Sequence, residues 1–119
     1  MRINHLHLDS ANVSRSIEFY ERYFGLRKRS EHHGLAFLED DGGLQMAIGP
    51  LEKPADFPSW FHFGFAKVDP DQVRSLYRNM KADGVQIAKE LVDKEGCVTF
   101  HCYDPSGYKV EVSCIKADF

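Results

Sequence analysis

The chain repeats itself. Placing His5 over His62 also brings Asn12 onto Asp69, Phe19 onto Leu76 and Tyr20 onto Tyr77. One offset therefore aligns a strand face, a helix cap and two neighbouring helix positions. In a repeat of this kind each copy is one supersecondary unit that cannot bury its hydrophobic face alone. With 119 residues there is no room for two independent cores, so residues 1–119 are expected to form a single domain.

The local patterns say what each copy contains. Residues 3–9 alternate, with Leu6 and Leu8 on one side and Ile3, His5, His7 and Asp9 on the other, as in a strand. Asn12 is a good helix N-cap, because its side chain can accept a free backbone N–H. Val13, Ile17, Tyr20 and Phe24 then recur at helical spacing, and Gly25 supplies the stop. Strands are predicted near 26–32, 34–39 and 43–49, the last two joined through Asp40-Asp41-Gly42-Gly43. Residues 50–59, with Pro54 and Pro58, read as a connector.

The same plan then restarts. Phe61, Phe63 and Phe65 share one face of a strand, while His62, Gly64 and Ala66 share the other. Asp69-Pro70 opens a helix whose apolar stripe is Val73, Leu76, Tyr77 and Met80, and Gly84 ends it. Strands are predicted near 85–90, 96–103 and 108–114, the last two joined by Asp104-Pro105-Ser106-Gly107. The expected fold is α+β: two tandem βαβββ modules forming a cupped mixed sheet with helices on the outer face. Module one covers about 1–49 and module two about 60–114.

Parity along the strands assigns the open face. The helix side takes Leu6, Leu8, Leu44, Met46, Ile48, Phe61, Phe63, Phe65, Val98, Phe100, Val110 and Val112. The open side takes His5, His7, Gln45, Ala47, His62, Gly64, Thr99, His101, Lys109 and Glu111. A merely solvated face would carry scattered Lys, Glu and Thr rather than a concentration of histidines. His5, His62 and Glu111 are therefore the candidate metal ligands. Two imidazoles and a carboxylate suit a divalent first-row ion (Zn, Ni, Mn or Fe) and leave positions open for water or substrate. His7 and His101 are candidate catalytic residues: a histidine with an unperturbed pKa of about 6.5 can serve as a general base. The competing role for both is a hydrogen-bonding wall. Gln45, Thr99 and Lys109 are candidate substrate-binding residues. Phe57 and Trp60 read as packing residues, and His32 and His33 as ordinary ones.

Composition excludes several functions. The net charge of -3 offers no basic field to nucleic acid or an anionic membrane. No apolar run approaches the ~20 residues needed to cross a bilayer. Cys97, Cys102 and Cys114 form no CxxC pair, and no basic-then-apolar stretch follows Met1, which together predict a cytoplasmic location.

Three segments resemble a known family. HLHLDSANVSRSIEFYERYFGL resembles the opening of the vicinal oxygen chelate superfamily, in which a strand bearing the ligand His runs into a helix with an S-x-x-F-Y signature. FHFGFAKVDPDQVRSLY resembles its second-unit start, and CVTFHCYDPSGYKVEVS its ending, a D-P-x-G turn followed after three residues by the ligand Glu. The superfamily includes glyoxalase I, fosfomycin-modifying enzymes, extradiol dioxygenases, epimerases and bleomycin-binding proteins without metal. Position by position, the resemblance implies ligands at His5, His62 and Glu111. Common glyoxalase I enzymes draw a fourth ligand from the position that Ala47 holds here, leaving Gln45 as a weaker substitute. Fosfomycin enzymes carry Thr where this chain has His7 and usually Tyr where it has His101.

The resemblance implies a divalent-metal-dependent, glyoxalase-like lyase or isomerase acting on a small oxygenated substrate that chelates the ion. Fosfomycin-type antibiotic modification and extradiol dioxygenation are the alternatives within that chemistry. A non-catalytic, bleomycin-resistance-like protein that sequesters a drug or metabolite is the alternative outside it. A homodimer is expected, since in related proteins His5 of one chain often joins His62 and Glu111 of the other.

Overall fold

Asn12 and Asp69 start the two helices as the repeat requires. In the computed structural model, which describes residues 1–51 and 56–116, the Asn12 side chain accepts from the Arg15 amide at 3.1 Å. That bond opens α1 (Val13–Phe24), which stops at Gly25 in the left-handed conformation (φ 69°). Asp69 accepts from the Asp71 amide at 2.9 Å and opens α2 (Pro70–Ala82). Pro70 sits in its first turn, where the missing N–H costs nothing.

Around α1 run β1 (His5–Ser10), β2 (Arg27–His32), β3 (Leu35–Glu39) and β4 (Gln45–Pro50). Around α2 run β5 (Phe63–Ala66), β6 (Ile87–Lys94), β7 (Cys97–Tyr103) and β8 (Lys109–Ile115). Each set forms its own four-stranded mixed sheet, in the orders β1-β4-β3-β2 and β5-β8-β7-β6. The outer pairs β1–β4 and β5–β8 are parallel; the others are antiparallel. The chain divides into two compact units, Met1–Asp56 and Phe57–Phe119. Each is a βαβββ module of an α+β fold. Of the connector expected at 50–59, residues 52–55 lie outside the described residues.

The hairpins that end the two sheets are built alike. Asp40 accepts from the amides of Gly42 (2.9 Å) and Leu44 (2.8 Å), and Asp104 from those of Ser106 and Tyr108 (both 2.9 Å). Gly43 (φ 93°) and Gly107 (φ 88°) then take the left-handed step that an L side chain resists. These turns fix the register of β4 and β8, and so decide which side chains reach the open face.

Each helix covers one sheet face, α1 against β1, β2 and β4, and α2 against β6, β7 and β8. In the first unit Tyr20, Leu26, Leu38, Met46 and Ile48 are fully buried; in the second, Val73, Met80, Phe100, Val110 and Val112 are. Burying each such side chain stabilises by about 1.5–3 kcal/mol. A buried polar contact between strand and helix in the first unit is satisfied: Ser10 and Ser16 share a hydroxyl hydrogen bond of 2.7 Å.

The start of the second unit departs from the alternation pattern. The Phe61 amide donates to the Pro58 carbonyl (3.0 Å), making a turn, so the ladder begins only at Phe63. Phe61 consequently leaves the helix side and stacks on Phe57, with ring centroids 5.8 Å apart and 18° between planes. Trp60, expected to pack, sits at the corner of that turn and is 73% exposed. Among the described residues, no helix is long and apolar enough to cross a membrane.

Candidate metal centre

Strand alternation in the second unit sorts apolar from ionisable side chains. Val110, Val112 and Cys114 of β8 are buried on the helix side, which turns Lys109, Glu111 and Ser113 to the other face. On β7 the same split buries Val98, Phe100 and Cys102 and leaves Thr99 and His101 opposite. His101 and Glu111 are direct cross-strand partners. His101 Nε2 lies 3.1 Å from Glu111 Oε1.

His62, the residue just before β5, completes the group. Its ring lies over that of His101, with centroids 5.0 Å apart and 31° between planes. His62, His101 and Glu111 each offer one donor atom, and the three atoms lie within 4.8 Å of one another. His62 is exposed and the other two are half-buried. His62 Nδ1 donates to the Trp60 carbonyl at 2.9 Å. A carbonyl only accepts, so the proton is on Nδ1 and the Nε2 lone pair is free for a ligand. Two imidazole nitrogens and a carboxylate oxygen are a donor set that fits a divalent first-row ion.

Gly64 makes the room. It pairs with Glu111 across β5–β8, and a Cβ at this position would stand 2.9 Å from the Glu111 carbonyl oxygen and 3.0 Å from its Cβ. Two further residues on this face have distinct surroundings. Thr99 is 8% exposed, and its Oγ1 is the one buried side-chain polar atom without a partner among the described residues. Lys109 Nζ donates to the Ser59 carbonyl at 2.6 Å, tying β8 to the segment that carries Trp60 and His62.

The first unit repeats this geometry with the chemistry exchanged between strands. His7 pairs with Ala47 as Gly64 pairs with Glu111, so the small residue stands on β4 in one unit and on β5 in the other. His5 pairs with Gln45, whose side-chain amide N–H donates to Glu39 Oε1 at 3.1 Å. His5 Nδ1 lies 2.8 Å from Asn4 Oδ1, an acceptor, so in His5, as in His62, Nδ1 is the donor in that bond and Nε2 is not engaged by it. His7 Nε2 lies 2.9 Å from Asp9 Oδ1. Gly49, opposite Asp9, keeps that spot open: a Cβ there would come within 3.3 Å of Asp9 Oδ1.

Other ionisable groups are engaged elsewhere. The Arg74 guanidinium holds Asp93 below the usual carboxylate range through hydrogen bonds of 2.8 Å from both Nε and Nη2. Glu90 is lowered by the Tyr77 hydroxyl and then by Lys81. Burial pushes the Cys102 thiol up to about 12, which removes it as a nucleophile.

Strand parity puts His62, His101 and Glu111 on one face, and in the structure one donor atom of each lies within 4.8 Å of the other two. Neither the role of Gly64 nor the exposure of Trp60 was foreseen. Counting outward from the Asp104–Gly107 turn would have paired position 101 with 111.

Comparison with known proteins agrees with this architecture. Residues 2–112 match the family model of the Glyoxalase/Bleomycin resistance protein/Dioxygenase superfamily. A lactoylglutathione lyase of Haemophilus influenzae is 28% identical, covering 93% of this chain and 90% of its own length. The structure of a possible glyoxalase from Bacillus cereus is 30% identical, with a TM-score of 0.83 over 96% of this chain and 99% of the other. A genomically encoded fosfomycin resistance protein of Listeria monocytogenes has the same fold, with a TM-score of 0.82 at 17% identity over 96% of this chain and 93% of its own.

Proposed function

This chain belongs to the Glyoxalase/Bleomycin resistance protein/Dioxygenase superfamily, and from that premise we propose that it is a divalent-metal-dependent, glyoxalase-like enzyme of lyase or isomerase type. The substrate class is a small oxygenated molecule that chelates the ion. The observation that carries this reading is the convergence of His62 and Glu111 donor atoms beside Gly64, which has no side chain to fill the space. His5 is the further ligand, favoured by its Nδ1 bond to Asn4, which frees Nε2 as in His62. A bound divalent ion supplies Lewis acidity, stabilising negative charge that develops on a substrate oxygen.

The protein's own groups do the rest. His7 carries its proton on Nε2, held by Asp9 Oδ1, and offers Nδ1 as the base that takes a proton from substrate. Thr99 Oγ1, buried and unpartnered, supplies a hydrogen bond to a substrate oxygen. Gln45 and Lys109 each have hydrogen-bonding capacity left after their contacts with Glu39 and Ser59 and serve the same end. The active form is a homodimer. The edge strands β1 and β5, each hydrogen-bonded on one side within its sheet, supply surfaces for pairing.

A second reading keeps the fold without the chemistry: a protein that sequesters a drug or metabolite. The exposed Trp60, with Phe57 and Phe61 beside it, favours this alternative by offering an aromatic wall next to His62. Formation of lactoylglutathione, the chemistry for which the Haemophilus influenzae relative is named, is the first assay. Turnover that chelation abolishes and added ion restores supports the enzyme. Ligand binding that persists after chelation, with no turnover across oxygenated substrates, supports sequestration.

A further inference from the structure

We propose that His101 is a fourth protein ligand of the same ion, beside His62, Glu111 and His5. The inference rests on the metal reading above and extends it to a residue that sequence alone assigns to proton transfer. A nitrogen or oxygen donor sits about 2.1 Å from such an ion, which sets neighbouring donors about 3.0–3.4 Å apart. His101 Nε2 and Glu111 Oε1 are already 3.1 Å apart. The His62 donor lies within 4.8 Å of both, a gap that a small side-chain rotation closes.

The backbone enforces this approach. His101 and Glu111 are opposite one another in the β7–β8 ladder, where side chains on one face stand about 5 Å apart at Cβ. The His101 side chain is 14% exposed, and Glu111 is its hydrogen-bond partner among the described residues. The His62 ring lies against that of His101, with centroids 5.0 Å apart. A base needs freedom to reach substrate, whereas a ligand needs a fixed orientation among other donors. His101 has the second environment. The proton-transfer role then falls to His7, whose partner Asp9 is no part of the cluster.

The competing role for His101 is to position Glu111 by the same hydrogen bond, and loss of such a partner also weakens metal binding by about 10–100-fold. Affinity alone does not separate the two, so the test adds a count of ligands. Full-length wild type, His101→Ala, His101→Gln and His5→Ala are titrated with Zn2+ against a competing chelator. The Cu2+-loaded forms are then examined by pulsed electron paramagnetic resonance, which counts coordinated imidazoles. His101→Gln keeps a hydrogen-bonding group beside Glu111 and guards against a variant that fails to fold. The expected result is at least tenfold weaker Zn2+ binding in both His101 variants and one coordinated imidazole fewer than wild type, the same imidazole loss that His5→Ala shows as the reference for a missing ligand. An unchanged imidazole count in the His101 variants overturns the proposal, whatever the affinity. Failure of the wild type to bind either ion would instead remove the metal reading on which the proposal stands.

Discussion

His62 Nδ1 donates to the main-chain carbonyl of Trp60 at 2.9 Å. The bond joins residues two apart in the chain, the turn residue Trp60 and His62 just after the turn, so it is local and needs no second element to hold it. It fixes which nitrogen of His62 faces away from the backbone. A ligand histidine is commonly oriented in this way, by tying down its other nitrogen. Long-range proton–nitrogen correlation spectra of the metal-free protein should therefore report His62 in the Nδ1–H tautomer, and Zn2+ should shift the Nε2 resonance. An Nε2–H tautomer that ignores Zn2+ would be inconsistent with a ligand role.

Gly64→Ala is expected to damage the centre without removing any donor. Its new methyl would meet the Glu111 carbonyl oxygen at 2.9 Å, and backbone yields less readily than a side-chain tip. Overpacking of this kind costs about 1–3 kcal/mol. Thermal unfolding should fall accordingly while Zn2+ affinity drops at least tenfold. Retention of full affinity in the alanine variant would mean that Glu111 does not need its present position.

If His7 is the base, its loss and the loss of its partner should differ in degree. His7→Ala should lower kcat by about 100-fold or more, in line with removal of a general base. Asp9→Asn should lower it less, because the imidazole remains and loses only its orientation. Metal content should stay constant in both. A drop in metal content in either variant would place His7 among the ligands instead.

Acid should loosen the second unit through Asp93. Arg74 depresses its pKa below the ordinary 3.8, so the pair's contribution to stability is complete above that value. The contribution disappears as pH falls through the lowered folded-state value. Melting temperatures of wild type and Asp93→Asn should accordingly differ most at neutral pH and converge in strong acid. A gap that widens on acidification would reverse the sign and contradict the pairing.

Much of the fold was legible because its determinants are local. Asn12, Gly25 and Asp69 act on their own helix ends, and Asp40 and Asp104 on their own turns. Alternation then exposes which face each strand side chain takes, as with Val110 and Val112 against Glu111. What escaped depends on relationships between strands. The partnership of His101 with Glu111 arises from the β7–β8 register rather than from its neighbours in sequence. The Pro58–Phe61 turn competes with strand alternation, and it moved Phe61 off the helix side and left Trp60 exposed. Gly64 carried no legible signal of its own, since its importance lies in the backbone and side chain of Glu111 that approach it.

Elemental analysis of protein purified without added metal, set beside the same measurement on His62→Ala, tests the central claim most directly. The account predicts a divalent first-row ion in stoichiometric amount in the wild type and its loss from a folded variant. Equal metal content in the two proteins would place the ion elsewhere and contradict it.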